Sequence, residues 1–166
     1  MKNYILPFLC YLFSAGFVCS AQTKYGIKNI YAYYTEHLPG IIPVDKDGNS
    51  LYKGPDTLNT VYIEANSNPV QWKQAWKNGK VYSINTTLIT TIPFEAGTKK
   101  MNDEKILLTV AKGCQLWQLT LVPAKMKPGL PKKLKPGEIM LQGNYAGKTI
   151  SQKITGQTEL LSLPSY

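Results

Sequence analysis

Two residues could carry nucleophilic chemistry if the fold brought them together. Cys114 would attack as a thiolate, and His37, the single histidine, would take its proton. His37 follows Glu36 and precedes Leu38-Pro39-Gly40, which places it at the end of a predicted strand. Cys114 follows Lys112-Gly113, a turn signal, and a cysteine at a strand start is expected to be a small buried hydrophobe. One histidine cannot build the usual zinc site without cysteine or carboxylate help, and neither H-x-x-x-H nor C-x-x-C spacing occurs. The nucleophile-elbow, P-loop and dinucleotide glycine patterns are also missing. Paired-carboxylate hydrolysis needs only that two acids converge, and ten acids give no reason to single out a pair. The reading therefore assigns no catalytic residue, no metal ligand and no cofactor. A small exported hydrolase using a carboxylate pair or Cys114 stays as the alternative.

Three short stretches carry further chemistry. Gly113-Cys114 resembles the Gly-Cys pair of exported L,D-transpeptidases, a family with Ser or Thr two residues before its cysteine and Arg two after. Lys112 and Leu116 stand at those positions here. Asp45-Lys46-Asp47-Gly48-Asn49 places oxygen ligands at alternate positions, as a calcium loop does, but a calcium loop of the helix-loop-helix kind would want its glycine at Ser50. A turn is the expectation, with a minor hairpin at Asp47-Gly48. Asp56-Thr57-Leu58 is similar to the acceptor used for O-glycosylation of exported bacterial proteins, and Asn85-Thr86-Thr87 is a formal N-glycosylation sequon inside a predicted strand.

Binding is the stronger theme. Trp72, Trp76 and Trp117 accompany 11 tyrosines, and aromatic rings on a sheet face stack sugars or anchor protein interfaces. Trp117 shares a face with Leu119 and Leu121 and is expected in the core. Trp72 and Trp76 are the binding candidates. The stretch Pro123 to Gly137 holds Lys125, Lys127, Lys132, Lys133 and Lys135 with four prolines and no acid. Its prolines exclude a central strand, so it reads as a solvated crossover on which Lys132, Lys133 and Lys135 could meet an anionic polymer.

All 19 basic residues are lysine, against 10 acids, for a net charge of +9. Without arginine the chain lacks the bidentate fork that reads guanine edges and phosphates, which disfavours specific nucleic-acid binding. Lys2, the apolar run from Ile5 to Val18 and the small residues Cys19-Ser20-Ala21 form the pattern of a cleaved secretory signal. Residues 1–21 are expected to be removed and residues 22–166 to form one domain, periplasmic or secreted, with no transmembrane segment. Cys10 and Cys19 would leave with the signal, so Cys114 would have no intrachain disulfide partner.

Elements must position whatever site exists. Candidate strands are Ile27 to Thr35, Thr57 to Ala65, Val70 to Lys77, Lys80 to Thr90, Lys105 to Ala111, Gln115 to Val122, Glu138 to Tyr145, Lys148 to Thr155 and Thr158 to Leu163. They are rich in Val, Ile, Thr and Tyr. Alternations such as Val61, Ile63 and Ala65 against Tyr62 and Glu64 predict one wet and one buried face. The same period puts Val70, Trp72 and Trp76 on one face. Asn78-Gly79, Lys112-Gly113 and Ala146-Gly147 are hairpin signals, the first of type I′. The fold class expected is all-β, an antiparallel β-sandwich of immunoglobulin-like kind with about seven to nine short strands; a small barrel is second choice. The function expected is a non-enzymatic exported module that binds a protein or glycan of the cell envelope. No pattern sets its oligomeric state.

Overall fold

The computed structural model describes residues 24–37, 44–51, 56–66, 70–125 and 134–162. The signal-like segment, Lys132 and Lys133 lie outside these residues. After a single 3-10 turn at Lys24–Gly26 the strands are β1 (Ile27–His37), β2 (Asp56–Ala65), β3 (Gln71–Lys77), β4 (Lys80–Ile89) and β5 (Phe94–Thr98). They continue as β6 (Lys105–Leu108), β7 (Gln115–Pro123), β8 (Ile139–Tyr145), β9 (Lys148–Ile154) and β10 (Thr158–Leu160). No helix among the described residues is long and apolar enough to cross a membrane.

Eight strands form one curled, mixed sheet in the order β10-β1-β2-β7-β4-β3-β8-β9, with β5 and β6 as a separate two-stranded sheet. Every pair in the large sheet is antiparallel except β1 with β10. The curl follows from chain length alone. Laid flat, eight strands about 4.8 Å apart would hold their edges about 34 Å from each other. Yet β9 and β10 sit at opposite edges, and only residues 155–157 join them, a link that reaches at most about 14 Å. The sheet must bend until its edges meet. The all-β class is thus what the structure shows, whereas stacked sheets of an immunoglobulin-like sandwich are not confirmed by a ladder that runs unbroken through eight strands.

Local chemistry explains the turns. Asn78 and Gly79 have φ of 50° and 73°, and Ala146 and Gly147 have 49° and 76°, so both hairpins carry the paired positive φ of type I′ turns. Lys112-Gly113 differs from expectation: it is a tight turn in which Cys114 N–H donates to Ala111 C=O at 3.0 Å. The strands beside it do not pair, because β6 pairs β5 while β7 lies between β2 and β4. The turn at Asp47-Gly48 does form a minor hairpin, closed by the Val44–Ser50 bridge.

The inner face of the curl is the main core, including Val61, Ile63, Leu119, Leu121, Ile139, Leu141 and Ile150. Trp117 packs against it, as the alternation with Leu119 and Leu121 predicts. Each such side chain, fully buried, stabilises by about 1.5–3 kcal/mol. A second core lies on the outer face, where Tyr33, Tyr62, Leu108, Leu116 and Leu160 pack with Phe94 of the β5–β6 hairpin. This corrects the expectation for β2. Tyr62 and Glu64 are buried along with Val61, Ile63 and Ala65, because the small hairpin and the segment that follows it cover what would have been the wet face.

β3 brings a further correction. A β-bulge between Trp72 and Gln74 shifts the register against β8, and an extra residue reverses the side-chain parity beyond it. Trp72 and Ala75 therefore both face the inner core, and Trp76 points to the opposite face, between its cross-strand neighbours Val81 and Met140. Gly143 marks the spot, since a Cβ there would lie 2.6 Å from the Gln71 carbonyl oxygen. Only glycine lets the two strands approach at the bulge.

Candidate functional site

The parity change in β3 has a second result: Lys77, two residues past Ala75, also points inward. It meets Asn59, which continues the inward series of Val61 and Ile63 on β2. Lys77 is 7% and Asn59 1% exposed. Lys77 Nζ donates to Asn59 Oδ1 at 2.5 Å and lies 5.2 Å from the centroid of the Tyr34 ring. Gln157 Nε2, from the β9–β10 link, donates to the same Asn59 oxygen at 3.4 Å. The Tyr34 hydroxyl in turn donates to Glu159 Oε2 at 3.2 Å, and Lys100 pairs with Glu159 Oε1 at 2.5 Å.

Burial of an ammonium group costs several kcal/mol unless charge and hydrogen bonds compensate. Lys77 receives one neutral acceptor and one π face. Burial accordingly holds its pKa below the ordinary 10.5, with Glu36 pulling the other way through space. Glu159 is the opposite case, because the hydrogen bond from Lys100 holds its carboxyl below the usual range.

Lys77 forms the floor of an open cleft of about 440 Å³ lined also by His37, Asp56, Asn59, Lys80, Tyr82 and Pro123. A neighbouring hollow of about 410 Å³ shares Thr57, Lys77 and Asn78 and extends to Tyr34, Glu36 and Gln157. On the other side a groove of about 740 Å³ shares His37 and Leu58 and runs along Gly97, Thr98 and Leu160. The three join into one furrow across one end of the sheet. Both long excursions seen in the sequence spring from this end: one leaves at His37 and returns at Asp56, the other leaves at Pro123 and returns at Ile139. Binding groups concentrate on loops held by a rigid scaffold, and ligands favour barrel mouths.

The two tryptophans predicted to bind do not line this furrow. Trp72 and Trp76 are 8% and 4% exposed, so their rings are spent on packing and present no platform. Lys135 is exposed at the foot of the crossover, and its backbone N–H donates to Glu138 Oε2 at 2.8 Å. Lys132 and Lys133 lie outside the described residues. Cys114 and His37 are separated by the length of the sheet. Cys114 adjoins Gln115, which pairs Ala65, which pairs Ile27, and His37 ends β1 ten residues on, about 30 Å away at the strand rise. No proton can pass between them. His37 Nδ1 lies 3.4 Å from the Ser162 hydroxyl instead. Asp45 uses its carboxylate on the N–H groups of Asp47 and Asn49 and on the Asn49 side chain, which fixes the turn.

The Lys77 cluster was missed because the bulge hid its parity. The available signal was Asn59, a polar residue in register with an apolar inward stripe. Compared with known proteins, the chain matches no family model, no curated protein sequence and no solved structure.

Proposed function

We propose that this chain is an exported, non-enzymatic binding module that takes a glycan or protein of the cell envelope into the furrow at the β1–β2–β3 end of its curled sheet. The observation that carries the reading is the inward cluster of Lys77, Asn59 and Tyr34 on strands and Gln157 on the short β9–β10 link, which opens onto that furrow. Amides, a tyrosine and a cation on a rigid floor recognise hydroxyl-rich or anionic ligands without transforming them. The lysine-rich crossover starts and ends at the same mouth, so its charge would add to the attraction. The expected sandwich enters the proposal as the two halves of the curl, whose inner faces share one core.

The hydrolase alternative fares less well on geometry. Glu36 and Glu159 converge near Tyr34, but Lys100 and the Tyr34 hydroxyl already occupy both oxygens of Glu159.

Titration of the protein lacking residues 1–21 with soluble envelope polysaccharides and proteins, followed by NMR shifts of Asn59, Asn78 and Gln157 amides, tests the proposal. Binding that perturbs these amides is expected, weakening as salt rises from 0.1 M to 1 M and the screening length falls from about 10 Å to about 3 Å. Shifts confined to the far end, or cleavage of the polymer, would overturn it. Secretion is tested separately by N-terminal sequencing, which should find Gln22 first.

A further inference from the structure

We infer that the furrow is built for an acidic sugar, with a uronic-acid carboxylate seated on Lys77. This rests on the binding reading above and deepens it.

Charge inside the chain is not balanced at Lys77. All ten acidic side chains lie within the described residues. Four of them, Glu95, Glu104, Glu138 and Glu159, form the ion pairs present among the described residues, each with a lysine other than Lys77. Glu64 is buried among its own donors, Asn29 and Ala111. Asp45 is tied to its turn. No acidic side chain pairs with Lys77, although it is 93% removed from solvent by its 7% exposure. A buried cation held by one amide oxygen and one tyrosine ring, with Glu36 acting on it only through space, is an expensive arrangement, and an anion arriving from the furrow would relieve it.

The surroundings decide which anion. One lysine on the floor balances one charge. Glu36 and Asp56 line the adjoining hollows, and their charges would repel a phosphate dianion about twice as strongly as a carboxylate monoanion. The same two carboxylates, with the Asn78 and Gln157 amides and Thr57 lining the hollows, supply acceptors and donors suited to sugar hydroxyls. The side chains of Lys80 and His37 edge the cleft, and Lys100 is occupied by Glu159. A single carboxylate on a polyhydroxylated ring satisfies this set. Seating the carboxylate would also draw the Lys77 pKa back up, since an opposite charge favours the ammonium form.

The test compares trigalacturonic acid with its fully methyl-esterified form, which keeps the ring hydroxyls and loses the charge. Calorimetry should give the acid at least tenfold tighter binding than the ester, and Lys77→Met should bring the two within twofold. Because Lys77→Met could disturb the fold, the wild-type protein is also followed by NMR at the Lys77 ε-methylene. Its titration midpoint should rise when the acid saturates the furrow and stay put with the ester. Equal affinity for acid and ester, or an acid affinity unchanged by Lys77→Met, would overturn the inference while leaving the furrow a binding site. Tighter binding of inorganic phosphate or of an aspartate-rich hexapeptide than of the uronide would overturn the sugar class. Absence of any binding in the furrow would remove the broader reading with it.

Discussion

Two buried ionisable side chains, Glu64 beneath the segment that follows β6 and Lys77 at the mouth of the curl, solve the same problem in different ways. Glu64 is 2% exposed and accepts from Asn29 Nδ2 at 2.5 Å and from Ala111 N–H at 2.8 Å. Its two donors come from β1 and from the segment between β6 and β7, so the carboxylate ties a covering loop to the sheet. Lys77 is buried nearly as deeply but has one neutral acceptor and opens onto a furrow. A charge whose partners all come from its own chain is a structural device. A charge left short of partners and turned toward a cleft is available to a ligand.

Removing each charge should therefore have opposite consequences, and the largest effect belongs to Glu64. Glu64→Ala strands the Ala111 N–H and the Asn29 amide without their acceptor and leaves a cavity under the segment that follows β6. Urea denaturation should show a loss of about 3 kcal/mol, the scale for buried groups stripped of a charged partner, while ligand affinity at the furrow holds. A loss under about 1 kcal/mol would mean that Glu64 does not fasten the loop. Lys77→Met exchanges an under-compensated cation for an apolar side chain of similar length, so stability should stay within about 1 kcal/mol of wild type, while furrow binding falls.

The same contrast can be read from alkaline pH. Lys77 has a lowered pKa in the folded chain. Between that value and 10.5 the unfolded chain still holds a proton that the folded chain has released, so stability climbs with pH across this window. Tyr33 runs the other way. Burial, with the neighbouring Tyr31 and Tyr62, pushes it up to about 12, so from pH 10 to about 12 the folded chain keeps a proton the unfolded chain has lost, and stability drops. Denaturation midpoints of wild type and Lys77→Met, measured from pH 8 upward, should diverge below pH 10.5 as the wild type gains relative to the variant. Parallel curves would show that Lys77 titrates as an exposed lysine.

How far the sequence reveals these features depends on whether a pattern is local. Strands announced by β-branched and aromatic residues and bounded by Asn78-Gly79 or Ala146-Gly147 are legible, because a type I′ turn and a period of two are written in adjacent residues. β5 is not: Phe94-Glu95-Ala96-Gly97-Thr98 offers one aromatic and a glycine with φ of 136° that sits beneath Leu160. The burial of Tyr62 and Glu64 depends on that same hairpin and the segment that follows it, so missing the strand also meant reading a covered face as wet. The Lys77 site was hidden for a third reason. Counting by twos from Trp72 puts Trp76 inside and Lys77 outside, and only the close approach of Gly143 to Gln71 reveals the extra residue that reverses them. Cys114 and His37, conspicuous as rare residue types, are at opposite ends because strand direction, and not residue type, decides proximity.

The smallest expected effect concerns a polar atom that the end opposite the furrow leaves without a partner. There Tyr25 and Tyr145 pack with ring centroids 5.5 Å apart, and Trp117 buries its indole Nε1 with no hydrogen-bond acceptor among the described residues. Unlike Lys77, this group carries no net charge, so its cost is that of one lost hydrogen bond, about 1–3 kcal/mol. Trp117→Phe removes the orphaned N–H and also gives up apolar area worth about 1 kcal/mol or more, so the two changes offset each other. Stability should shift by no more than about 0.5 kcal/mol, against about 3 kcal/mol for Leu119→Ala two residues along the same inward stripe, where a fully buried side chain leaves a cavity. A loss from Trp117→Phe approaching that of Leu119→Ala would show that the indole N–H is satisfied after all, and that this end contains a polar contact as specific as the one at the mouth.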